Sequence, residues 1–348
     1  MPRLRRVSCS APGLTRRRRG KGFVYLDAAG NRVTDEATLA RISALVIPPA
    51  WEDVWICPLA NGHVQATGVD ARGRRQYRYH DAWRLQRDLE KHDRVLEFAA
   101  RLPEARARLL EHLRSTDELT RERVLACAVR LIDLGFFRIG GEQYAEENGS
   151  YGLATLRKEH VRVAGDEIEL EFVGKSGKLW SRSVAEPEVT DVVARLKRRR
   201  GGGPELLAYR AGGAWVDVKS HDINAFLREV TGTEATAKDF RTWSATVLAA
   251  VGLAVSTHAA TSPTARKRAV TRVVKEVAEK MGNTPAVCRA SYIDPRVITL
   301  YEDGVTVAAD LEALGEDVGL GEPAFQGAVE AAVLRLLRDD PAEHALAG

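Results

Sequence analysis

At about residue 81 the spacing of apolar residues switches from the alternation of strands to the period of helices, so the chain cannot be one uniform layer. Before the switch, FVYLD (23–27), VWICPL (54–59), HVQATGVD (63–70) and QYRYH (76–80) are rich in β-branched and aromatic residues and partly alternate. Turn-forming pairs separate them, and Asn61-Gly62 predicts a hairpin turn. One helix interrupts the strands, at about 34–46. From Asp81 on, Trp83, Leu85, Leu89, Val95, Leu96 and Phe98 fall roughly at helical spacing. Helical patterns follow at about 82–101, 103–114, 119–134, 187–200, 220–230, 238–252, 262–281, 284–292 and 322–338. Only EIELEFVGKSGKLWSRSV (167–184) breaks that texture, and it predicts a β-hairpin within a helical domain. The expected fold is α+β: a small β-rich N-terminal domain, 1–90, and a larger mainly α-helical domain, 91–348, ending in an acidic segment.

With 348 residues, 45% of them apolar, the chain can bury a substantial core. No apolar run approaches the ~20 residues of a membrane span, and the Arg-rich first twenty residues lack the apolar centre of a secretory signal. A cytoplasmic protein is expected. Cys9, Cys57, Cys127 and Cys288 lie far apart without ligand spacing, so neither a disulfide framework nor a zinc site is indicated. The net charge of +4 is unevenly spread: residues 1–90 carry sixteen Lys/Arg against nine Asp/Glu, residues 301–348 two against eleven. A chain that is basic for most of its length and acidic at its end suits a polyanion partner, although clusters such as Arg16–Arg19 and Lys197–Arg200 also fit plain solvated faces.

Four short stretches carry candidate chemistry. The hairpin tip GKS is not a phosphate-binding loop, because Glu169 stands where the motif needs glycine and a strand, not a helix, follows. Lys175 there is either a solvated turn lysine or a cation on a mobile finger. In FFRIGGEQY, Arg138 follows the apolar end of a helix; its guanidinium either snorkels outward or is held by an anion. In TAKDFRTW, with Thr236 or Asp239 as the helix cap, Arg241 sits among apolar residues. It either pairs with Glu142 or Asp239, or joins a second arginine in clamping one phosphate. In NTPAVCRASYIDP, Pro285 suits a helix start and Pro295 a stop, so Tyr292 lies at a helix end, where a tyrosine ordinarily packs.

The order and spacing of these pieces, Arg138, Lys175, Arg241 and Tyr292, with Asn283 nine residues before the tyrosine, resemble the type IB DNA topoisomerases. The length and two-part layout are similar to the small bacterial and poxvirus-like branch, and the resemblance covers about residues 20–305. It implies that Tyr292 is a nucleophile forming a 3′-phosphotyrosyl intermediate and that Arg138 and Arg241 hold phosphate oxygens. Lys175 would protonate the leaving 5′ oxygen, with Lys238 assisting. The family usually has histidine where this chain has Asn283, which can donate a hydrogen bond but cannot carry charge. A plain helix C-cap around Gly282-Asn283 is the other reading of that position.

The segment TGVDARGRRQYRYH (67–80) also resembles the family's DNA-facing strand, which implies base contacts from Gln76, Tyr77 and Tyr79 and phosphate contacts from Arg74 and Arg75. On a strand, Gln76 and Arg78 point to one side and Tyr77 and Tyr79 to the other. The resemblance implies an enzyme that nicks, rotates and reseals duplex DNA without ATP, metal or any cofactor. It would work as a monomer clamped around its substrate at the nucleoid. The alternatives are a tyrosine site-specific recombinase and a non-catalytic DNA-binding protein of the same fold.

Overall fold

A computed structural model of the chain describes residues 3–142, 145, 149–257, 259–260, 262–314 and 326–338. It divides into two units, Met1–His92 and Asp93–Gly348. In the first, β1 (Leu14–Arg19), β2 (Gly22–Leu26), β3 (Glu52–Ile56), β4 (Val64–Val69) and β5 (Arg75–Tyr79) form an antiparallel sheet in the order β2-β1-β3-β4-β5. Helix α1 (Glu36–Ala44) starts where the Asp35 carboxylate accepts from the Thr38 amide at 2.8 Å. It packs Ile42 against Leu14, Val54, Ile56 and Ala66 to make this unit's core.

Two expectations are refined here, one at a single residue and one outright. The arginine run 16–19 lies on strand β1 with Arg17, Arg18 and Arg19 exposed, as a solvated face would be; the exception is Arg16, which lies over the Phe23 ring at 4.2 Å and donates to the carbonyls of Ile47, Pro48 and Trp51. Its stem packs while its head is satisfied, so a charged residue serves a strand face. Asn61-Gly62 is not a two-residue hairpin turn, since residues 57–63 all belong to the connection. The backbone of Arg5 pairs with Asn61 and His63 there and holds the loop open.

Helix α2 (Asp81–Arg114) crosses the division between the units and continues through Pro103, where the sequence suggests two helices. Buried Phe98, Leu102, Ala105, Leu109 and Leu113 keep one apolar stripe on both sides of the proline, which outweighs the missing backbone bond. The second unit then adds α3 (Arg121–Gly135), α4 (Pro187–Arg198), α5 (Ser220–Thr231), α6 (Ala237–Ser256), α7 (Pro263–Lys280) and α8 (Pro285–Ser291). Next come α9 (Pro295–Glu302), α10 (Ala308–Leu314) and α11 (Ala328–Arg338). Of the helix expected at 322–338, residues 322–325 lie outside the described residues. The helix before Pro295 does end, at Ser291, but Pro295 also opens α9, capped by Asp294, which accepts from the Arg296 amide at 2.9 Å.

The predicted hairpin is present as β7 (Glu167–Val173) and β8 (Leu179–Val184), but a third strand, β6 (Val161–Ala164), pairs along β7. A further pair, β9 (Ala208–Ala211) and β10 (Ala214–Asp217), turns at Gly212-Gly213, both in the left-handed region. These extra strands have four residues each, too few to show alternation. Seventeen of the twenty residues of α6 are buried, so this helix is the axis of the unit's core.

Candidate active site

Arg138 is delivered by the way α3 ends. Phe136 takes a left-handed conformation (φ 56°) as the cap, Phe137 turns fully into the core, and Arg138 emerges half-buried. Its backbone is pinned, because the Leu153 amide donates to the Arg138 carbonyl at 2.9 Å and Ala154 to Ile139 at 2.7 Å. Gly140 (φ 81°) and Gly152 lie back to back; a Cβ on Gly152 would sit 2.4 Å from the Gly140 Cα. Only glycine permits that approach.

Arg241 comes from the first turns of α6. Thr236 and Asp239 form the capping box there, the Thr236 amide donating to Asp239 at 2.8 Å. The ion pairs the sequence offers Arg241 are not made. Asp239 is used by the cap and lies 3.6 Å from Arg94, and Glu142 accepts from the Ser220 amide at 3.1 Å. Arg241 is 3% exposed and donates instead to the Phe136 and Met281 carbonyls.

Asn283 and Tyr292 flank α8. Gly282, left-handed at φ 61°, turns the chain out of α7, and Thr284 caps α8. Arg138 donates to the Gly282 carbonyl at 3.0 Å and to the Asn283 side-chain oxygen. Tyr292 is the residue at which α8 stops; its ring centre lies 5.3 Å from the Arg241 guanidinium carbon and 6.0 Å from Lys238 Nζ.

Arg138, Arg241, Asn283, Lys238 and Tyr292 therefore gather from three distant stretches of chain. Lys175 is exposed at the hairpin tip and lines, with Arg138, Gly140, Gly141, Ser150 and Tyr151, a cleft of about 260 Å³. Gln76, Tyr77, Tyr79, Arg74 and Arg75 belong to the other unit. On its sheet Tyr77 and Tyr79 are outward and stacked, 5.9 Å apart and 14° from parallel. Arg74 and Gln76 both donate to Asp70, while Arg78 turns to the Val46 carbonyl at 3.0 Å.

The electrostatics of the candidate site ask for an anion. Among the described residues neither Arg138 nor Arg241 is paired with a carboxylate. Burial, then the charge of Arg138, lowers Arg241 to about 10, with Tyr292 opposing; burial lowers Arg138 as well. Arg241 Nε and the Asn283 side-chain NH₂ are buried without partners among the described residues. Buried donors left open in this way are costly, and a tetrahedral oxyanion would satisfy them together. Among the described residues no three His, Cys, Asp or Glu side chains could share a metal ion, and no helix is long and apolar enough to cross a membrane. All four cysteines are free.

Thr246 escapes sequence reasoning. Buried in α6, its hydroxyl accepts from the Asp294 amide at 3.1 Å and shares its proton between the Thr242 carbonyl at 2.8 Å and the Tyr292 carbonyl at 3.3 Å, engaging the backbone on both sides of Ile293. A threonine in an apolar helix carries no local sign of such a partner 46 residues away.

Comparisons with known proteins cover both units. Residues 80–308 match a family model described as eukaryotic DNA topoisomerase I, catalytic core, and residues 22–70 one described as bacterial DNA topoisomerase IB, N-terminal domain. DNA topoisomerase 1B of Acanthamoeba polyphaga mimivirus is 29% identical over 298 residues, 84% of this chain and 88% of that protein. DNA topoisomerase 1B of vaccinia virus (strain Copenhagen) is 22% identical over 236 residues, 68% of this chain and 72% of that protein. DNA topoisomerase 1 of Mycosarcoma maydis is 27% identical over 195 residues, half of this chain and 19% of that longer protein.

Proposed function

The chain belongs to the type IB DNA topoisomerase family, and from that premise we propose that it relaxes supercoiled duplex DNA through a covalent tyrosyl intermediate. The observation that carries this reading is the pair of guanidiniums, Arg138 and Arg241, without a carboxylate partner among the described residues and set beside Asn283 and the Tyr292 ring.

Tyr292 Oη attacks the scissile phosphorus as its proton passes to solvent, and the P–O5′ bond breaks. A 3′-phosphotyrosine forms, and the 5′ oxygen leaves as a hydroxyl after taking a proton from the Lys175 ammonium. Arg138, Arg241 and the Asn283 amide donate to the non-bridging oxygens, whose charge grows in the pentavalent transition state. Lys238, 6.0 Å from the tyrosine ring, assists the proton relay. The ester conserves the energy of the broken bond, so rotation about the intact strand and attack by the 5′ hydroxyl restore the duplex without ATP or metal.

Residues 1–90 act as the DNA-binding domain and 91–348 as the catalytic one, together clamping the duplex as a monomer at the nucleoid. On β5, Arg75, Tyr77 and Tyr79 face outward for contact with phosphates and bases. Arg74 and Gln76 reach DNA once they exchange Asp70 for it. The test is relaxation of supercoiled plasmid in EDTA without ATP. The expected result is relaxation of both signs of supercoil by the native chain, a denaturation-resistant protein–DNA adduct, and neither with Tyr292→Phe. Absent relaxation, or full activity of Tyr292→Phe, overturns the reading.

A further inference from the structure

We propose that Trp180 and Arg182 on β8 are positioning residues that set the Lys175 hairpin tip against Arg138 and Asn283. This rests on the reading of Lys175 as the proton donor. Lys175 is exposed on a tip that closes through two backbone bonds of its own, Gly174 to Lys178 at 2.8 Å and Gly177 to Gly174 at 3.1 Å. Those bonds shape the tip without fixing its place, so the aim of Lys175 depends on what holds the strands below it.

Trp180 lies one strand pair below the end of the hairpin, opposite Phe172, and is nine-tenths buried. Its indole lies on Gly282 so closely that a Cβ there would meet Trp180 Cζ3 at 2.1 Å. The same ring stands 6.4 Å, centre to centre, from Phe137. The neighbours of these two contacts are Asn283 and Arg138, which are themselves joined by a hydrogen bond. One side chain on the hairpin thus touches both segments that present the oxyanion donors.

Two residues further along β8, Arg182 donates to the Lys280 carbonyl at the end of α7 and lays its guanidinium 4.7 Å over the Trp180 ring. Burial lowers its pKa, and its described partners are carbonyl oxygens, the second being that of Ser181 at 3.0 Å. The arrangement is a brace from β8 to the α7–α8 turn, with the indole as the wedge and the guanidinium as the tie. A displacement of about 1 Å at a reacting group can cost on the order of 10²-fold in rate, so a lysine on a turn needs such a brace.

The experiment is single-turnover cleavage of two matched duplexes, one with the natural 5′ oxygen at the scissile phosphate and one with sulfur there. A thiolate leaves without a proton. Arg182→Ala is expected to slow cleavage of the oxygen substrate about tenfold or more, to leave the sulfur substrate within about threefold of the native rate, and to leave DNA affinity unchanged. Arg182→Lys, which keeps a donor for the Lys280 carbonyl, is expected to recover most of the loss. Trp180→Phe should show the same split in milder form, and thermal melting of each variant reports folding separately. Equal slowing on both substrates, or no slowing on the oxygen substrate, overturns the proposal. Lys175→Ala is the control: if sulfur does not rescue it, the assignment of Lys175 falls, and this inference with it.

Discussion

Asn283 is where this site differs most in chemistry from a histidine-bearing one. Its oxygen accepts from Arg138 while its NH₂ has no partner among the described residues, so it has a donor group ready for a phosphate oxygen and no proton to exchange. Asn283→Ala is expected to slow single-turnover cleavage about 10- to 100-fold, the loss of one buried donor, at unchanged thermal stability; a native rate would remove Asn283 from the site. Asn283→His should restore a donor and bring a new pH dependence, faster as pH falls through about 6.5 because the imidazole gains charge there. The native rate carries no such step from this position. The arginines of the candidate site stand out in the sequence as charges in apolar stretches, whereas Tyr292 reads locally as a packing residue and is singled out only by the order and spacing shared with the type IB family. What these residues touch was not legible. Glu142 and Asp239 were plausible partners for Arg241 until their own backbone donors claimed them.

Elements were legible in proportion to their length. Long helices carry many periods of burial, so α3, α6 and α7 stand out, whereas β6, β9 and β10 have four residues each and owe their strand geometry to the neighbour they pair with. The position of α11 is likewise a matter of partners. Glu330 accepts from Trp243 Nε1 at 2.9 Å and from Arg106, which also binds Asp133, and Arg130 links Asp133 to Glu186. These groups are largely buried and charged, and removing one partner strands the others. Glu330→Ala is therefore expected to destabilise the protein by about 3–5 kcal/mol, read as a lower urea midpoint. A loss below 1 kcal/mol would mean that the network is a surface arrangement of little consequence.

For the whole molecule, the distribution of charge has a measurable result. If phosphate contacts carry the affinity, binding to duplex DNA should weaken steeply with salt, by about 10³-fold or more between 50 and 200 mM for about six to ten contacts. Affinity that hardly changes would contradict a basic surface around the duplex. The two-part layout was visible in the sequence as a change of period, because burial on a sheet and burial on a helix leave different spacings. The course of the chain between the units was not, since α2 runs through the change without a break. Thr246 has a mechanical consequence at this scale. In the proposed covalent state a long, turning polymer hangs from one side chain, and its pull enters the protein at Tyr292. The carbonyl of that residue and the amide of Asp294 both end on one hydroxyl of α6, the helix with seventeen of twenty residues buried. Torque on the tether thus runs straight into the most deeply seated beam of the unit, and the arginine on that same beam travels with the load.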